Sequence, residues 1–254
     1  KGRYFRVVDG DDWVDAQALT HQLEALEALG DQTVDVIQTN YCRVVQSTGQ
    51  ELPVRFQGVH YNQVYHTFSP CRENVPCLHS TTYRTGLLRE TGFFMQDGIF
   101  FVDEEYVILP FLGAKTVIYY DLDVYRYQVG DPGQSTSPGN RAKYASHREQ
   151  VVRRLLDALQ TAPTGEAGDY LFFRTAQAAA DHLTTLYMYL PDRKEGLGKG
   201  LAWERYVKEI NPQVFHAIRK KGFLLRQMNR AGLSLPAYFE LKRRILGQRG
   251  RDGM

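Results

Sequence analysis

Tyr4, Phe5, Arg6, Val7 and Val8 form a short apolar run that ends in Asp9, Gly10, Asp11, Asp12 and Trp13. Val and Phe favour a buried strand, and a parallel strand this apolar needs cover on both faces. The run therefore predicts a β-strand that delivers carboxylates to its C-terminal tip, where open α/β sheets bind ligands. Gly10 suits a sharp turn there, and Asp11 and Asp12 can aim hard oxygen ligands at one divalent cation, whose natural companion is a diphosphate. The competing reading is local: an Asp/Gly cluster turns the chain and caps the next helix.

Beyond the tip, strands and helices alternate. Ala16, Leu19, Leu23, Leu26 and Leu29 recur at helical spacing, and Gly30 stands where a helix stops. Residues 33–41 read as a strand, 47–50 as a polar turn, 54–56 as a strand and 58–76 as irregular chain. Residues 80–90 read as a helix leading into 93–101. Asp103 starts another helix, with Tyr106, Val107 and Leu109 on its apolar face and Pro110 late in it. Residues 116–120 and 124–129 read as neighbouring strands separated by Asp121, Leu122 and Asp123, and 130–139 as a Pro/Gly/Ser-rich loop. After Asn140 the pattern is helical only: 141–160, 169–189, 200–210, 213–229 and 235–247. The expected division is an α/β domain over 1–138 and a helical domain over 139–254.

The length fits one or two globular domains, and the apolar and charged fractions are ordinary. No apolar stretch is long enough to span a bilayer and no signal pattern opens the chain, so the expected location is the cytoplasm. Cys42, Cys71 and Cys77 are too sparse for a disulfide framework. The chain carries net charge +2, but residues 213–254 hold about ten Lys and Arg against two acidic residues. The C-terminal end is a basic appendage.

The segments YFRVVDGDDWVD, HSTTYRTGLLRE, GIFFVDEEYVILPF and TVIYYDLDVYRYQVGDPGQS, in this order and spacing, resemble the second half of a family-2 glycosyltransferase catalytic domain. The resemblance covers about residues 1–137 and is most specific around Asp103, the Tyr-rich strands and Gln134 with Ser135. It implies a GT-A fold, a Rossmann-like nucleotide-sugar domain whose D-x-D element holds the donor diphosphate through Mn²⁺ or Mg²⁺. Asp9, Gly10 and Asp11 match that element. Asp9 would reach the ribose or metal side, Asp11 would be the main metal ligand, and Asp12 lies just outside the motif. Family members invert the sugar with one carboxylate as general base, and their usual Glu-Asp aligns with Val102 and Asp103, which makes Asp103 the expected base. The missing first acid leaves Glu104 or Glu105 as candidates for a supporting role, with Glu104 on the acceptor side. A purely structural Asp103 would be a helix N-cap. The family has dozens of residues before the D-x-D strand that form the nucleobase pocket, whereas this sequence starts almost on that strand; a fragment or an unassigned start is the expected reason, and a loss of donor binding is the alternative.

Other constellations are weaker. His60, His66, Cys71, Cys77 and His79 lie close together without any usual zinc spacing. His79 reads instead as part of an acceptor-side loop or as an ordinary surface histidine. Gly196, Gly198, Lys199 and Gly200 lack the full spacing of a phosphate loop and read as a turn between helices. Lys143, Arg148, Arg153 and Arg154 read as a solvated helix face, and at least half of Tyr119, Tyr120, Tyr125 and Tyr127 as core. Phe215, Ile218, Phe223, Leu224 and Leu225 mix with Arg219, Lys220, Lys221 and Arg226, and Lys242, Arg243 and Arg244 continue the mixture. Such helices pack on their own domain or lie on anionic lipid.

The resulting expectation is a metal-dependent inverting glycosyltransferase. It moves a sugar from a UDP-linked donor to a hydroxyl of a glycan or lipid-linked glycan in polysaccharide biosynthesis, binds no nucleic acid, and touches a membrane peripherally. Gln134 and Ser135 sit on a loop that closes over the donor. The rival is a non-catalytic interaction module with a truncated α/β scaffold and basic helices that bind a membrane or partner. A nucleotidyltransferase would also use Asp9 and Asp11, but gives no reason for the block around Asp103.

Overall fold

The computed structural model describes residues 2–30, 32–131, 133–134 and 137–235. Strands β1 (Tyr4–Phe5), β2 (Trp13–Val14), β3 (Val36–Val45), β4 (Glu51–Val54), β5 (Val64–Tyr65), β6 (Thr81–Arg84) and β7 (Val117–Val129) form one mixed sheet. Its order is β1-β6-β3-β7-β2, with β4 on β3 and β5 on β7. Among the described residues β3 and β7 are the parallel pair, and the other pairings are antiparallel.

Helix α1 (Ala16–Ala28) starts at Asp15, whose side chain accepts from the Ala18 N–H, and ends before Gly30 at φ 58°. Both ends follow the expected chemistry. Leu26 packs with Val34, Ile37, Ile118 and Tyr120 on one face of the sheet. On the other face Tyr119 stands edge-on to Phe56 and Tyr65, as the two-residue period of β7 requires. Helices α2 (Pro70–Glu73), α3 (Thr85–Glu90) and α4 (Val102–Ile108) join a second cluster in which Tyr83, Tyr106 and Phe111 meet edge-on.

Several expectations change here. The predicted strand over 4–8 is two residues long and antiparallel, because Arg6 turns inward to Thr39 Oγ1 at 3.2 Å and Thr82 Oγ1 at 3.3 Å. Phe5 and Val8 are left exposed. Residues 80–90 are strand and then helix, since pairing with β1 and β3 on both edges overrides local helical preference. The strand expected at 54–56 lies at Glu51–Val54, and part of the irregular 58–76 stretch is ordered as β5 and α2. The two strands expected on either side of Asp121–Asp123 are one continuous strand. Its register with β3 runs Thr39↔Tyr120, Asn40↔Asp123 and Tyr41↔Tyr125, so the acidic stretch is a bulge rather than a turn. Asn40 holds it by donating to Asp121 Oδ1 at 2.7 Å, and Arg55 pairs with Asp123.

After β7 come α5 (Pro138–Lys143), α6 (Ala145–Gln160), α7 (Glu166–Met188), α8 (Arg193–Ile210) and α9 (Pro212–Arg230). The glycines of 196–200 lie inside α8 and not in a turn. Asp192 caps the helix, accepting from the Lys194 and Glu195 N–H groups, and an added Cβ at Gly196 or Gly200 would strike the Leu186 carbonyl or the Tyr187 ring. The proposed basic face of α6 is also corrected, because Arg148 is buried against Asp181 and Arg154 reaches Glu105. The helix expected at 235–247 lies beyond the described residues apart from Leu235.

The chain divides into two compact units, Lys1–Ser135 with Arg153–Arg174, and Thr136–Val152 with Thr175–Met254. In the first, the start of α7 closes the sheet: Tyr170 donates to the Val107 carbonyl at 2.9 Å and Arg174 to the Pro76 carbonyl at 3.0 Å. In the second, Trp203, Val207, Val214, Ile218 and Leu225 line the buried faces of α8 and α9.

Candidate active site

The acidic tip is a tight turn between β1 and β2, closed by the Asp12 N–H donating to the Asp9 carbonyl at 3.2 Å. Gly10 is not in the left-handed region, and a Cβ there would meet open space, so the turn does not require glycine as the sequence suggests. What fixes the Asp12 carboxylate and the Asp9 backbone comes from β7. The Tyr125 hydroxyl accepts from the Asp9 N–H at 3.1 Å and donates to Asp12 Oδ2 at 2.7 Å, while the Gln128 N–H donates to Asp12 Oδ1 at 2.8 Å. One phenol thus ties two acids together.

His79 enters from the loop before β6. Its ring stacks on Tyr127 with centroids 3.8 Å apart, meets the edge of Tyr125 at 5.1 Å and lies 5.4 Å from Tyr41. The bulge in β7 sets the register that brings Tyr125 and Tyr127 alongside Tyr41 and Arg43 of β3. Arg6 donates to the His79 carbonyl beneath the ring. The outcome is a group of three, Asp9, Asp12 and His79, whose ligand atoms all lie within 4.8 Å of one another. Asp11 is exposed and outside this group, and so are His60, His66, Cys71 and Cys77. The structure therefore joins Asp12 to Asp9 where the motif points to Asp11, and places His79 at the acids.

Electrostatics mark the same place. Burial, followed by the neighbouring acids, raises the Asp9 carboxyl above its ordinary range. Asp12 is raised by burial, against the opposing hydrogen bonds from Tyr125 and Gln128. Burial, aided by Arg6 and Arg43, pushes His79 down to about 4, so its imidazole is neutral at neutral pH. Two oxygens and one neutral imidazole nitrogen are a donor set that fits a divalent transition-metal ion.

Asp103 is exposed in the first turn of α4, and it is not the N-cap: that position belongs to Phe101, held at φ 70°. Such a conformation in a buried aromatic residue is strained, a feature that clusters at functional sites. The Tyr127 phenol is raised by burial and then by the charges of Asp12, Asp103 and Asp11, against Arg43. Glu104, next to Asp103, is half-buried, whereas Glu105 is buried in an ion pair with Arg154 at 2.6 Å and holds α4 in place. Gln134 donates to the Gln128 carbonyl at 2.6 Å, fastening the loop after β7 to the strand that positions Asp12. Ser135 lies outside the described residues. Sequence reasoning missed Arg6, Tyr41 and Arg43 as neighbours of the site. Their signal is an arginine in an apolar run and an alternating Tyr41/Arg43 pair on a strand.

No protein-family model matches the sequence, and no curated protein matches it. The fold is similar to the crystal structure of S. aureus TarS, with a TM-score of 0.51 and 17% identity. The alignment covers 90% of this chain and 40% of that one, so the chain spans less than half of the neighbour's length. TarS is a glycosyltransferase. The chain thus has a glycosyltransferase-like α/β fold followed by a helical C-terminal region.

Proposed function

We propose that this chain is the catalytic part of a metal-dependent, inverting glycosyltransferase of the family-2, GT-A type. It takes a UDP-linked sugar and transfers it to a hydroxyl of a glycan or lipid-linked glycan in polysaccharide synthesis. The observation that carries the reading is the convergence of Asp9, Asp12 and His79 beside Tyr127. A divalent cation held at that group, Mn²⁺ or Mg²⁺, would supply charge neutralisation for the departing nucleoside diphosphate.

The chain's own residues perform the rest. Tyr125 and Gln128 hold Asp12 in a fixed orientation, so little reorganisation is needed when the donor arrives. Asp103, exposed in the first turn of α4, takes the proton of the acceptor hydroxyl as its oxygen attacks the anomeric carbon. Glu104 borders the acceptor side, and the loop carrying Gln134 and Ser135 covers the donor. The exposed Phe223 and Leu224 among the cations of α9 support a peripheral membrane location for the lipid-linked acceptor.

Asp103→Asn keeps the shape but cannot accept a proton, so turnover should fall by about 10²-fold or more while Mn²⁺-dependent UDP affinity is unchanged. A UDP-release assay across acceptors, paired with calorimetry, makes the measurement. Near-normal turnover would leave Asp103 a residue of the first helical turn and remove the base from the mechanism.

A further inference from the structure

We infer that Glu105, Gln96 and Arg154 form a clasp that sets the first turn of α4, which makes Glu105 a positioning residue for the transfer step. This rests on reading Asp103 as the base and goes on to say what holds its helix and the loop before it.

Glu105 follows Asp103 by two residues, so the two side chains project about 200° apart around the helix. Asp103 is exposed, whereas the Glu105 side chain is fully buried. Each carboxylate oxygen of Glu105 has its own partner. Gln96 Nε2 donates to Oε1, and Arg154 Nη1 donates to Oε2 at 2.6 Å. Arg154 Nη1 also donates to the Phe94 carbonyl at 3.0 Å, and its guanidinium lies 4.2 Å from the centre of the Phe94 ring. One buried carboxylate thus ties α4 to two points of the preceding loop and to Arg154, all inside the first compact unit.

Apolar packing gives this loop little support. Beside the clasp lies an open cleft of about 350 Å³ lined by Thr91, Phe93, Leu109, Leu112 and Arg154, and the Phe94 ring is 65% exposed. Where close packing is missing, a fixed geometry has to come from directional contacts, and the clasp supplies them.

The same stretch contains a backbone that needs holding. The contact from Gln96 to Glu105 closes a short span of chain around Phe101, a buried aromatic residue at φ 70° directly before α4. A side chain of that bulk keeps a left-handed conformation only where its surroundings over-determine it. The clasp fastens the chain on both sides of Phe101. Releasing it lets the turn relax and moves the start of α4, Asp103 included.

The test separates position from stability. Removing one partner of a buried ion pair leaves an uncompensated charge, whereas replacing both with apolar residues of similar volume is often neutral for stability. The full chain carrying Glu105→Leu together with Arg154→Leu should therefore melt within a few degrees of the wild type. Its amides over 94–104 should exchange with deuterium about tenfold or more faster, because the loop opens locally. Its kcat should fall about tenfold or more with Mn²⁺-dependent UDP affinity unchanged, since a small misplacement of the base costs rate and not donor binding. Gln96→Ala, which leaves the ion pair intact, should move both exchange and kcat a few-fold in the same direction. A double variant with wild-type exchange or near-normal kcat overturns the inference, and so does a loss of kcat that only tracks a lowered melting temperature. If the double variant does not fold, Gln96→Ala decides: unchanged exchange and kcat overturn the clasp. Failure of the glycosyltransferase reading looks different, because no chain then releases UDP while loop exchange still separates the variants from the wild type.

Discussion

The helical unit and the acidic tip of the sheet treat charge in opposite ways. In the helices, Asp181 receives both Arg141 and Arg148 at 3.1 Å. Glu204 accepts from the Tyr187 hydroxyl at 2.6 Å and faces Arg226 at 3.7 Å. His182, fully buried against Trp203, has Glu149 at 3.8 Å. At the tip, no described Lys or Arg lies within ion-pair distance of Asp9, Asp11 or Asp12. Nearby Arg6 donates to two hydroxyls and a carbonyl. Asp9 and Asp11 are exposed to water and Asp12 is half-buried, held by hydrogen bonds from Tyr125 and Gln128 in place of an ion pair.

The largest effect should come from breaking the tip itself. Asp12→Ala removes a carboxylate that two hydrogen bonds orient, and Mn²⁺-dependent UDP affinity should drop by about 10²-fold. Asp11→Ala removes an exposed charge outside the three-residue group and should cost about tenfold or less through the field alone. Calorimetry of the two variants side by side makes the comparison. If Asp11→Ala is the more damaging, the D-x-D alignment outranks the observed geometry.

A second measurement sharpens the helical half. Burial holds the His182 pKa below its ordinary value, reinforced by Arg148 and opposed by Glu149 and Asp181. The unfolded chain therefore binds the extra proton first, near pH 6.5. Stability present above that pH is lost as pH falls through 6.5 toward the lowered folded value. His79 acts with the same sign, so the informative quantity is a difference between chains. Urea unfolding at pH 7.5 and pH 5 should show His182→Gln losing less stability on acidification than the wild type. An unchanged loss would mean that Glu149 already keeps His182 protonated in the fold.

The smallest effect concerns the surface of α9, which mixes cations with exposed apolar side chains. Phe223 and Leu224 lie on α9 beside exposed Arg219 and Lys220. The chain should sediment with phosphatidylglycerol liposomes at low salt, release at high salt, and ignore neutral liposomes. Replacing both residues with Ser should weaken sedimentation a few-fold. A chain that remains in the supernatant with anionic liposomes at low salt would make α9 a packing helix like α8.

The sequence by itself determined the parts that depend on neighbouring residues. The Leu spacing and Gly30 of α1, the polar turn at 47–50, the start of α4 near Asp103 and the switch to helices after residue 140 all follow from side-chain period and local backbone preference. Those preferences act over a few residues. Tertiary structure decided whatever depends on partners far along the chain. TTYR is a strand because β1 and β3 bracket it, and Asp121–Asp123 is a bulge because β3 continues past it. Gly196 and Gly200 lie within α8 because Leu186 and Tyr187 pack so close that a side chain at either position would clash. The candidate site divides in the same way. The acidic turn was visible as four consecutive residues, but the grouping of Asp12 with Asp9 and His79 was not. It comes from a Tyr125 hydroxyl and a Gln128 amide more than a hundred residues away, joined to the turn by pairing across the sheet.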